Sequence, residues 1–301
     1  MASSYKQSVI RAAILGLVFL AGGTAQAAPV RDRDVLKFPI SGTKLSIPAE
    51  IGLPKANAPN SVAGKRPVMF LMHGCDGLTS SSNLIDLDAR WFREHGFITV
   101  TPDSFAPYNA YDVCAQQNVT PLNRFRDMVM IAAQLQGVEG LGADRERLYA
   151  VGYSHGGATL VEGAVIQNTA PAALPRFKGL IAYYPDCERL RYHMTRKRIE
   201  GARLVVLVGA EDAMARAPLC QRAAEIASAD PNLRVRLFPG AVHGFNAPGF
   251  ETAVDLAGGP FLIAGAIKFD PAAAAAARQE VAEFLRTAGF NMDEAGKAAL
   301  Q

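Results

Sequence analysis

The sequence has almost no excess of charge of either sign. It carries 31 lysine and arginine residues against 28 aspartate and glutamate residues over 301 positions. Its one local concentration of basic residues lies between Arg189 and Arg203 and includes Arg196-Lys197-Arg198, and we expect a solvated surface segment there. Because a nearly neutral chain has no electrostatic reason to bind nucleic acid or an anionic membrane, neither is expected as a partner.

Cysteine is also scarce. The chain has four cysteines, Cys75, Cys114, Cys187 and Cys220, and no two of them form a Cys-x-x-Cys pair. This spacing argues against a zinc site, and neither a metal nor a cofactor is expected. In an oxidising compartment an even number of cysteines favours disulfides, although four cysteines allow three different pairings.

The chain lacks an apolar run long enough to span a bilayer comfortably. The N-terminal run covers only residues 12–20, follows Lys6 and Arg11, and precedes the small-residue cleavage site Ala25-Gln26-Ala27. Residues 1–27 are therefore predicted to be a signal peptide, and residues 28–301 an exported protein, periplasmic or secreted, with no stable membrane anchor. Cleavage leaves 29 basic and 28 acidic residues. The oligomeric state is not indicated.

Strand and helix patterns alternate along the rest of the chain. Apolar runs bounded by turn residues predict strands at 35–40, 45–51, 68–72, 97–101, 147–153, 180–184, 204–209 and 234–238. Helix-compatible segments lie at 84–94, 122–135, 158–167 and 219–227, and a last helix begins after Asp270 with Pro271 at its first position. The pattern predicts one α/β domain with a mostly parallel sheet covered by helices on both faces.

A candidate nucleophile follows the predicted strand at 147–153. The segment Gly152-Tyr153-Ser154-His155-Gly156-Gly157 lies between this buried strand and a helix-compatible stretch. A sharp turn from strand to helix holds a serine at the end of the sheet, as in the nucleophile elbow of serine hydrolases. The flanking glycines suit such a turn because it leaves no room for a Cβ on either side.

An oxyanion site is predicted after the strand at 68–72, in His73-Gly74-Cys75-Asp76-Gly77. The backbone N–H of Cys75 or Asp76 could provide one donor to a negatively charged oxygen, and the N–H of His155 the other. The alternative is an ordinary turn between a strand and a loop.

A serine hydroxyl needs a base and an orienting acid. Of the five histidines, His73 and His155 belong to the motifs above, His95 ends a predicted surface helix, and His193 lies in the basic segment. His243, in the loop after the last predicted strand, is the expected base. Asp212 is the expected acid because it directly follows the strand at 204–209, with Glu211 and Asp186 as rivals.

The chain resembles the dienelactone hydrolase family of α/β-hydrolases, in its secreted, disulfide-containing branch. The resemblance covers roughly residues 67–285 and rests on His73-Gly74-Cys75-Asp76-Gly77, Pro102-Asp103-Ser104-Phe105, Gly152-Tyr153-Ser154-His155-Gly156-Gly157, Tyr184-Pro185, Gly209-Ala210-Glu211-Asp212 and His243-Gly244-Phe245. It implies an α/β-hydrolase fold with little or no lid and a triad of Ser154, Asp212 and His243. It also implies disulfides between Cys75 and Cys114 and between Cys187 and Cys220.

A serine at the elbow resembles the carboxylesterase members of the family, whereas the enzymes that cleave dienelactone use a cysteine there. The predicted function is therefore hydrolysis of small carboxylic esters or lactones through an acyl-enzyme on Ser154. Tyr153, Phe105, Tyr184 and Phe245 are candidates for the wall of the substrate pocket. A peptidase or acyltransferase with the same triad, or a non-catalytic binding protein with this fold, are the alternatives.

Overall fold

One large sheet organises the molecule. The computed structural model describes residues 30–115, 118–196, 198–226, 228, 230–255 and 265–293, so the predicted signal peptide lies outside the described residues. The strands of the sheet are β1 (Asp34–Pro39), β2 (Ser46–Gly52), β3 (Arg66–Met72), β4 (Ile98–Pro102), β5 (Ala143–Tyr153), β6 (Phe177–Tyr183), β7 (Arg203–Gly209) and β8 (Leu233–Phe238). Two short strands, β9 (Val254–Asp255) and β10 (Ala266–Ile267), pair separately.

The strands lie in the order β1-β2-β4-β3-β5-β6-β7-β8 across the sheet. The pairs β1 with β2 and β2 with β4 are antiparallel, and the remaining pairs of this sheet are parallel. The parallel strands are continuous apolar runs, and Val68, Phe70 and Met72 of β3 are completely buried. Burial on both sides of the sheet requires such runs. The α/β class and the mostly parallel sheet predicted from the sequence are confirmed.

The chain changes direction across the sheet at β3. It passes from β3 outward to β4 and then crosses back to β5, on the other side of β3. The carboxyl ends of β3 and β5 lie side by side, where Met72 pairs with Gly152. The loops that follow these two strands therefore diverge and leave a crevice between them, the usual place for a ligand in an open parallel sheet.

The helices are α1 (Gly77–Glu94), α2 (Pro121–Leu135), α3 (His155–Ile166), α4 (Cys187–Met194), α5 (Ala217–Ile226) and α6 (Pro271–Arg286). Helix α6 starts as predicted, with the side chain of Asp270 accepting hydrogen bonds from the N–H groups of Ala272 and Ala273. Helix α1 begins at Gly77, before the predicted start at residue 84. The earlier start was not predicted because the first turns of this helix are polar and show no apolar periodicity. Within the described residues, no helix is both long and apolar enough to cross a membrane.

Helix α4 is absent from the sequence-based prediction. It occupies part of the basic segment that was expected to be solvated surface. Asp186 caps it by accepting from the N–H of Glu188 at 3.0 Å, and Leu190 and Met194 face the core. Since only two of its eight residues besides the cysteine are buried, its sequence carries little amphipathic signal and packing determines its structure.

Two disulfides connect the loops and helices at the carboxyl end of the sheet. Cys75, after β3, is joined to Cys114, after β4, and Cys187 of α4 is joined to Cys220 of α5. This is the pairing that the family resemblance implies. The bonds close loops with sequence separations of 39 and 33 residues. Each therefore contributes about 4 kcal/mol to the free energy of unfolding by restricting the unfolded chain.

Candidate active site

Ser154 occupies the sharp turn between β5 and α3. Its φ is +52° and its ψ is −113°, a strained conformation for a residue other than glycine. A Cβ on Gly152 would lie 2.4 Å from the carbonyl oxygen of Gly156, and a Cβ on Gly156 would lie 2.1 Å from the carbonyl oxygen of Met72. Both positions therefore require glycine, and the turn holds the serine side chain up at the crevice.

A continuous series of hydrogen bonds links the serine to a histidine and an aspartate. The hydroxyl of Ser154 donates to Nε2 of His243 at 3.1 Å, and Nδ1–H of His243 donates to Oδ2 of Asp212 at 2.8 Å. Asp212 is almost completely buried, and its other oxygen accepts from the N–H of Ala215 at 2.8 Å. The aspartate therefore fixes the imidazole with Nε2 free to accept a proton from the serine.

Of the two rival carboxylates, one is exposed and the other is bound to different residues. Glu211 is exposed to solvent, although it is the immediate neighbour of Asp212 in the chain. Asp186 caps α4 and forms a salt bridge with Arg216 at 3.2 Å. Among the three carboxylates considered from the sequence, Asp212 is the one that contacts His243.

His95 ends helix α1, as expected, but it is buried and not at the surface. The residue is only 2% exposed, and its Nδ1–H donates to the carbonyl oxygen of Trp91 at 2.8 Å. The indole ring of Trp91 also covers it, with ring centroids 4.7 Å apart. His95 is buried because α1 packs its last turn against the core, and its ring is held there.

The residues of the candidate oxyanion donors line the same cavities as Ser154. His155 is the first residue of α3, so its N–H has no acceptor within the helix. Cys75 lies opposite, in the loop after β3, and its carbonyl oxygen accepts from the N–H of Val113 at 2.8 Å. Cys75 and His155 share the wall of one cavity with Ser154, and Asp76 belongs to the wall of a second.

Two cavities meet at Ser154 and His243. The larger has a volume of about 370 Å³, and ion-paired side chains form part of its wall. In that wall Arg189 is bound to Glu162 at 3.0 Å, and Arg216 is bound to Asp186 and Glu188. Arg189 thus faces the site instead of being purely solvated, which differs from the expectation for the basic segment.

The smaller cavity has a volume of about 120 Å³ and a mostly apolar wall that includes Tyr153, Ala247 and Phe250. Tyr184 belongs to both cavities. Burial raises the pKa of Tyr184 well above its ordinary value, and its hydroxyl donates to Asn246 at 2.8 Å. Tyr153 and Tyr184 thus line the cavities, and their contact with a substrate stays a prediction.

Phe105 and Phe245 lie elsewhere than predicted. Phe245 is completely buried and packs against Tyr183, Tyr184 and Phe238. Phe105 is 1% exposed and packs edge-on against the ring of His73, with centroids 4.5 Å apart. Both support the loops of the site from the core, because a large apolar ring gains more free energy by full burial than at an open cavity wall.

A buried polar cluster beneath the site is not apparent from the sequence motifs. Arg124 of α2 is completely buried and donates to Ser104, to His155 and to the carbonyl oxygen of His73. Burial lowers the pKa of His73 well below its ordinary value and that of His155 to about 3, so both rings are neutral. Burial lowers the pKa of Arg124 to about 9, which leaves it charged at neutral pH.

The sequence does contain one signal for Arg124. Buried positions of α2 recur with helical spacing at Pro121, Phe125, Met128 and Ile131, and Arg124 lies on that inward face. A charged residue on an apolar stripe indicates a buried polar contact.

Within the described residues, no group of three or more histidine, cysteine, aspartate or glutamate side chains is arranged to hold a metal.

Comparison with known proteins gives a family and a fold. Residues 55–289 match the model of the dienelactone hydrolase family. A search of the curated proteins gave no match. A putative dienelactone hydrolase from Klebsiella pneumoniae subsp. pneumoniae is similar in structure, with a TM-score of 0.58 and 17% identity over 84% of this chain and 98% of that chain.

Two structures of esterase 2 from Thermogutta terrifontis are also similar. The form with butyrate bound has a TM-score of 0.61 and 17% identity, covering 88% of this chain and 96% of that chain. The form phosphorylated by paraoxon has a TM-score of 0.59 and 15% identity, covering 85% of this chain and 94% of that chain. At these identities the likeness establishes the fold.

Proposed function

Since the chain belongs to the dienelactone hydrolase family, we propose that it hydrolyses small carboxylic esters or lactones through an acyl-enzyme on Ser154. The observation that carries this proposal is the unbroken hydrogen-bonded series from Asp212 through His243 to Ser154. The strained elbow supports it, because backbone strain at a half-buried serine on the wall of a cavity is typical of a functional position.

In the first step Ser154 attacks the carbonyl carbon of the ester. Its proton moves to Nε2 of His243 as the new C–O bond forms. Asp212 stabilises the imidazolium through the hydrogen bond at Nδ1. The carbonyl oxygen becomes an oxyanion, which the N–H of His155 and that of Cys75 or Asp76 stabilise.

The oxyanion then collapses and the bond to the leaving alcohol breaks. The protonated His243 donates its proton to the departing oxygen, which leaves the acyl group on Ser154. A water molecule repeats the attack with His243 as the base, and the carboxylic acid is released. No cofactor is needed for this sequence of steps.

The cavities suit a small substrate. Ser154 lies where a cavity of about 370 Å³ meets one of about 120 Å³, so the acyl and alcohol portions of an ester can occupy different sides of the serine. The known structures fit this proposal, since Thermogutta terrifontis esterase 2 has been observed with butyrate and phosphorylated by paraoxon.

We also propose that the protein acts outside the cytoplasm. The two disulfides favour an oxidising compartment, and residues 1–27 have the pattern of a cleaved signal peptide. A periplasmic or secreted hydrolase would act on esters that the cell encounters in its surroundings.

Labelling with a fluorophosphonate tests the proposed nucleophile. The purified protein should gain the mass of one phosphonyl group on the peptide that contains Ser154 and lose activity on p-nitrophenyl acetate. The variant Ser154→Ala should neither react nor hydrolyse the ester, whereas Ser41→Ala, which removes an exposed serine hydroxyl, should behave as the wild type. Full turnover after complete labelling, or full activity of Ser154→Ala, would exclude this function.

A further inference from the structure

Arg124 connects the two loops that carry the proposed oxyanion donors. Its guanidinium donates through Nη2 to the carbonyl oxygen of His73 at 2.8 Å, on the side of β3. Through Nη1 it donates to Nδ1 of His155 at 2.8 Å, on the side of α3. One rigid planar group thus holds the beginning of both segments, at His73 and at His155, which are 82 positions apart in the chain.

A second path leads from Arg124 to the loop after β3. Nε–H of Arg124 donates to Oγ of Ser104 at 2.7 Å, and this oxygen lies 3.2 Å from Nε2 of His73. Because arginine can only donate, the hydroxyl hydrogen of Ser104 is left to donate to His73. Nε2 of the neutral ring is then the acceptor, and Nδ1–H donates to the carbonyl oxygen of Gly74 at 2.8 Å.

This last hydrogen bond determines the orientation of the peptide between Gly74 and Cys75. The described residues contain no cis peptide bond, and in a trans peptide the C=O and the N–H point in opposite directions. With the carbonyl oxygen of Gly74 turned toward the buried ring of His73, the N–H of Cys75 is turned away from that ring. Cys75 lies at the wall of the cavity that contains Ser154.

The contact between Arg124 and His155 restrains the other donor, the backbone N–H of His155, through the side chain of that residue. Nδ1 of His155 accepts from Arg124, so the side chain at the first position of α3 is held from below. The backbone of that residue also follows the strained Ser154 directly. Small rotations at the first turn would otherwise move its N–H away from the oxyanion.

We propose that Arg124 is a positioning residue which, together with Ser104 and His73, aligns the N–H groups of Cys75 and His155 for oxyanion stabilisation. This inference rests on the proposed function. Arg124 itself does not touch the substrate, because it is completely buried. Its contribution is to keep two donors fixed before the reaction, so that no free energy is spent on their reorientation in the transition state.

The test compares Ser104→Ala, Arg124→Met and Arg124→Lys with the control Thr99→Val. Thr99 is a buried hydroxyl residue of β4, so Thr99→Val also removes one buried hydroxyl. Ser104→Ala is expected to lower kcat for p-nitrophenyl acetate about tenfold, and Arg124→Met about a hundredfold, with KM changed less than about twofold. Arg124→Lys keeps the charge but loses the forked geometry, so its kcat should stay low.

Three further readouts separate positioning from general damage. The rate of fluorophosphonate labelling at Ser154 should fall in parallel with kcat, the pH midpoint of kcat/KM should not move, and Thr99→Val should retain wild-type kcat. If Arg124→Met fails to fold, Ser104→Ala decides the question.

Wild-type kcat in Ser104→Ala, or full recovery of kcat in Arg124→Lys, would overturn the inference. A wild-type protein that neither hydrolyses the ester nor reacts at Ser154 would instead overturn the proposed function. The two failures are therefore distinguishable.

Discussion

Oγ of Ser154 lies 3.1 Å from Nε2 of His243, although the two residues are 89 positions apart in the chain. The sheet brings them together, since β5 ends at Tyr153 and β8 at Phe238, and both strands end at the same edge. The loop after β8 is long enough to return toward the centre of the sheet. The hydrogen bond from Nδ1–H of His243 to Asp212 then holds the imidazole over the serine.

The first prediction concerns the acid. Asp212→Asn should lower kcat/KM about 10,000-fold, because an amide in this position favours the wrong tautomer of His243. Glu211→Gln is the matched control, since Glu211 is the neighbouring carboxylate and is exposed. Steady-state kinetics on p-nitrophenyl acetate measure both variants. A large loss in Glu211→Gln together with an active Asp212→Asn would show that the acid is misassigned.

The second prediction concerns the nucleophile elbow. Gly156→Ala should lower the free energy of unfolding by more than about 2 kcal/mol and abolish activity, because the new Cβ would collide with the backbone of β3 at Met72. In Gly137→Ala the new Cβ meets only Gln134 O at 3.5 Å, an ordinary contact. Its stability should change by less than about 0.5 kcal/mol. Urea denaturation compares the two, and equal stability would contradict the steric argument.

The third prediction distinguishes the two disulfides. Cys75 lies in the loop of the proposed oxyanion site, whereas Cys187 and Cys220 join α4 to α5. The double variants Cys75→Ser/Cys114→Ser and Cys187→Ser/Cys220→Ser should each lose up to about 4 kcal/mol of stability. The first should also lose kcat by about tenfold at a temperature where both remain folded, because its oxyanion loop is released. Equal kcat in the two variants would mean that the bond at Cys75 has no role in catalysis.

The fourth prediction concerns the dependence of stability on pH. Burial raises the pKa of Asp127 to about 6, while a hydrogen bond from the hydroxyl of Tyr108 opposes the shift. A carboxyl group with a raised pKa in the folded protein stabilises it fully below its unfolded pKa. That contribution is lost as the pH rises through about 6.

Asp127→Asn, which stays neutral, should therefore equal the wild type near pH 3, below the unfolded pKa, and exceed its free energy of unfolding by up to about 3 kcal/mol near pH 7. Urea denaturation at a series of pH values measures this difference. A difference between the two proteins that does not change with pH would rule out titration of Asp127 as the cause.

Much of the fold could be predicted because the parallel strands are continuous apolar runs. All eight strands of the main sheet were expected near their observed positions, and Asp270 and Pro271 indicated the start of α6. Helix α4 was missed because half of its residues are charged or polar and its position depends on a disulfide and on packing. Local sequence patterns therefore predict an element well where most of its residues are buried, and poorly where few of them are.

The candidate site was predictable in part. Ser154, Asp212 and His243 could be selected because each follows a strand, and the ends of parallel strands share one edge. Phe105 and Phe245 could not be distinguished from pocket residues, since an aromatic ring near a motif can face either a cavity or the core. Arg124 carries only the signal of its place on the apolar face of α2.

By itself, the sequence determined which segments are buried and which short turns require glycine, because hydrophobic burial and backbone sterics depend on residues close together in the chain. Only the tertiary structure decided which carboxylate meets His243 and which buried cation lies beneath the loops around Ser154. A hydrogen bond depends on separations of about 3 Å between atoms from distant segments. Those separations exist only after the strands have been placed side by side.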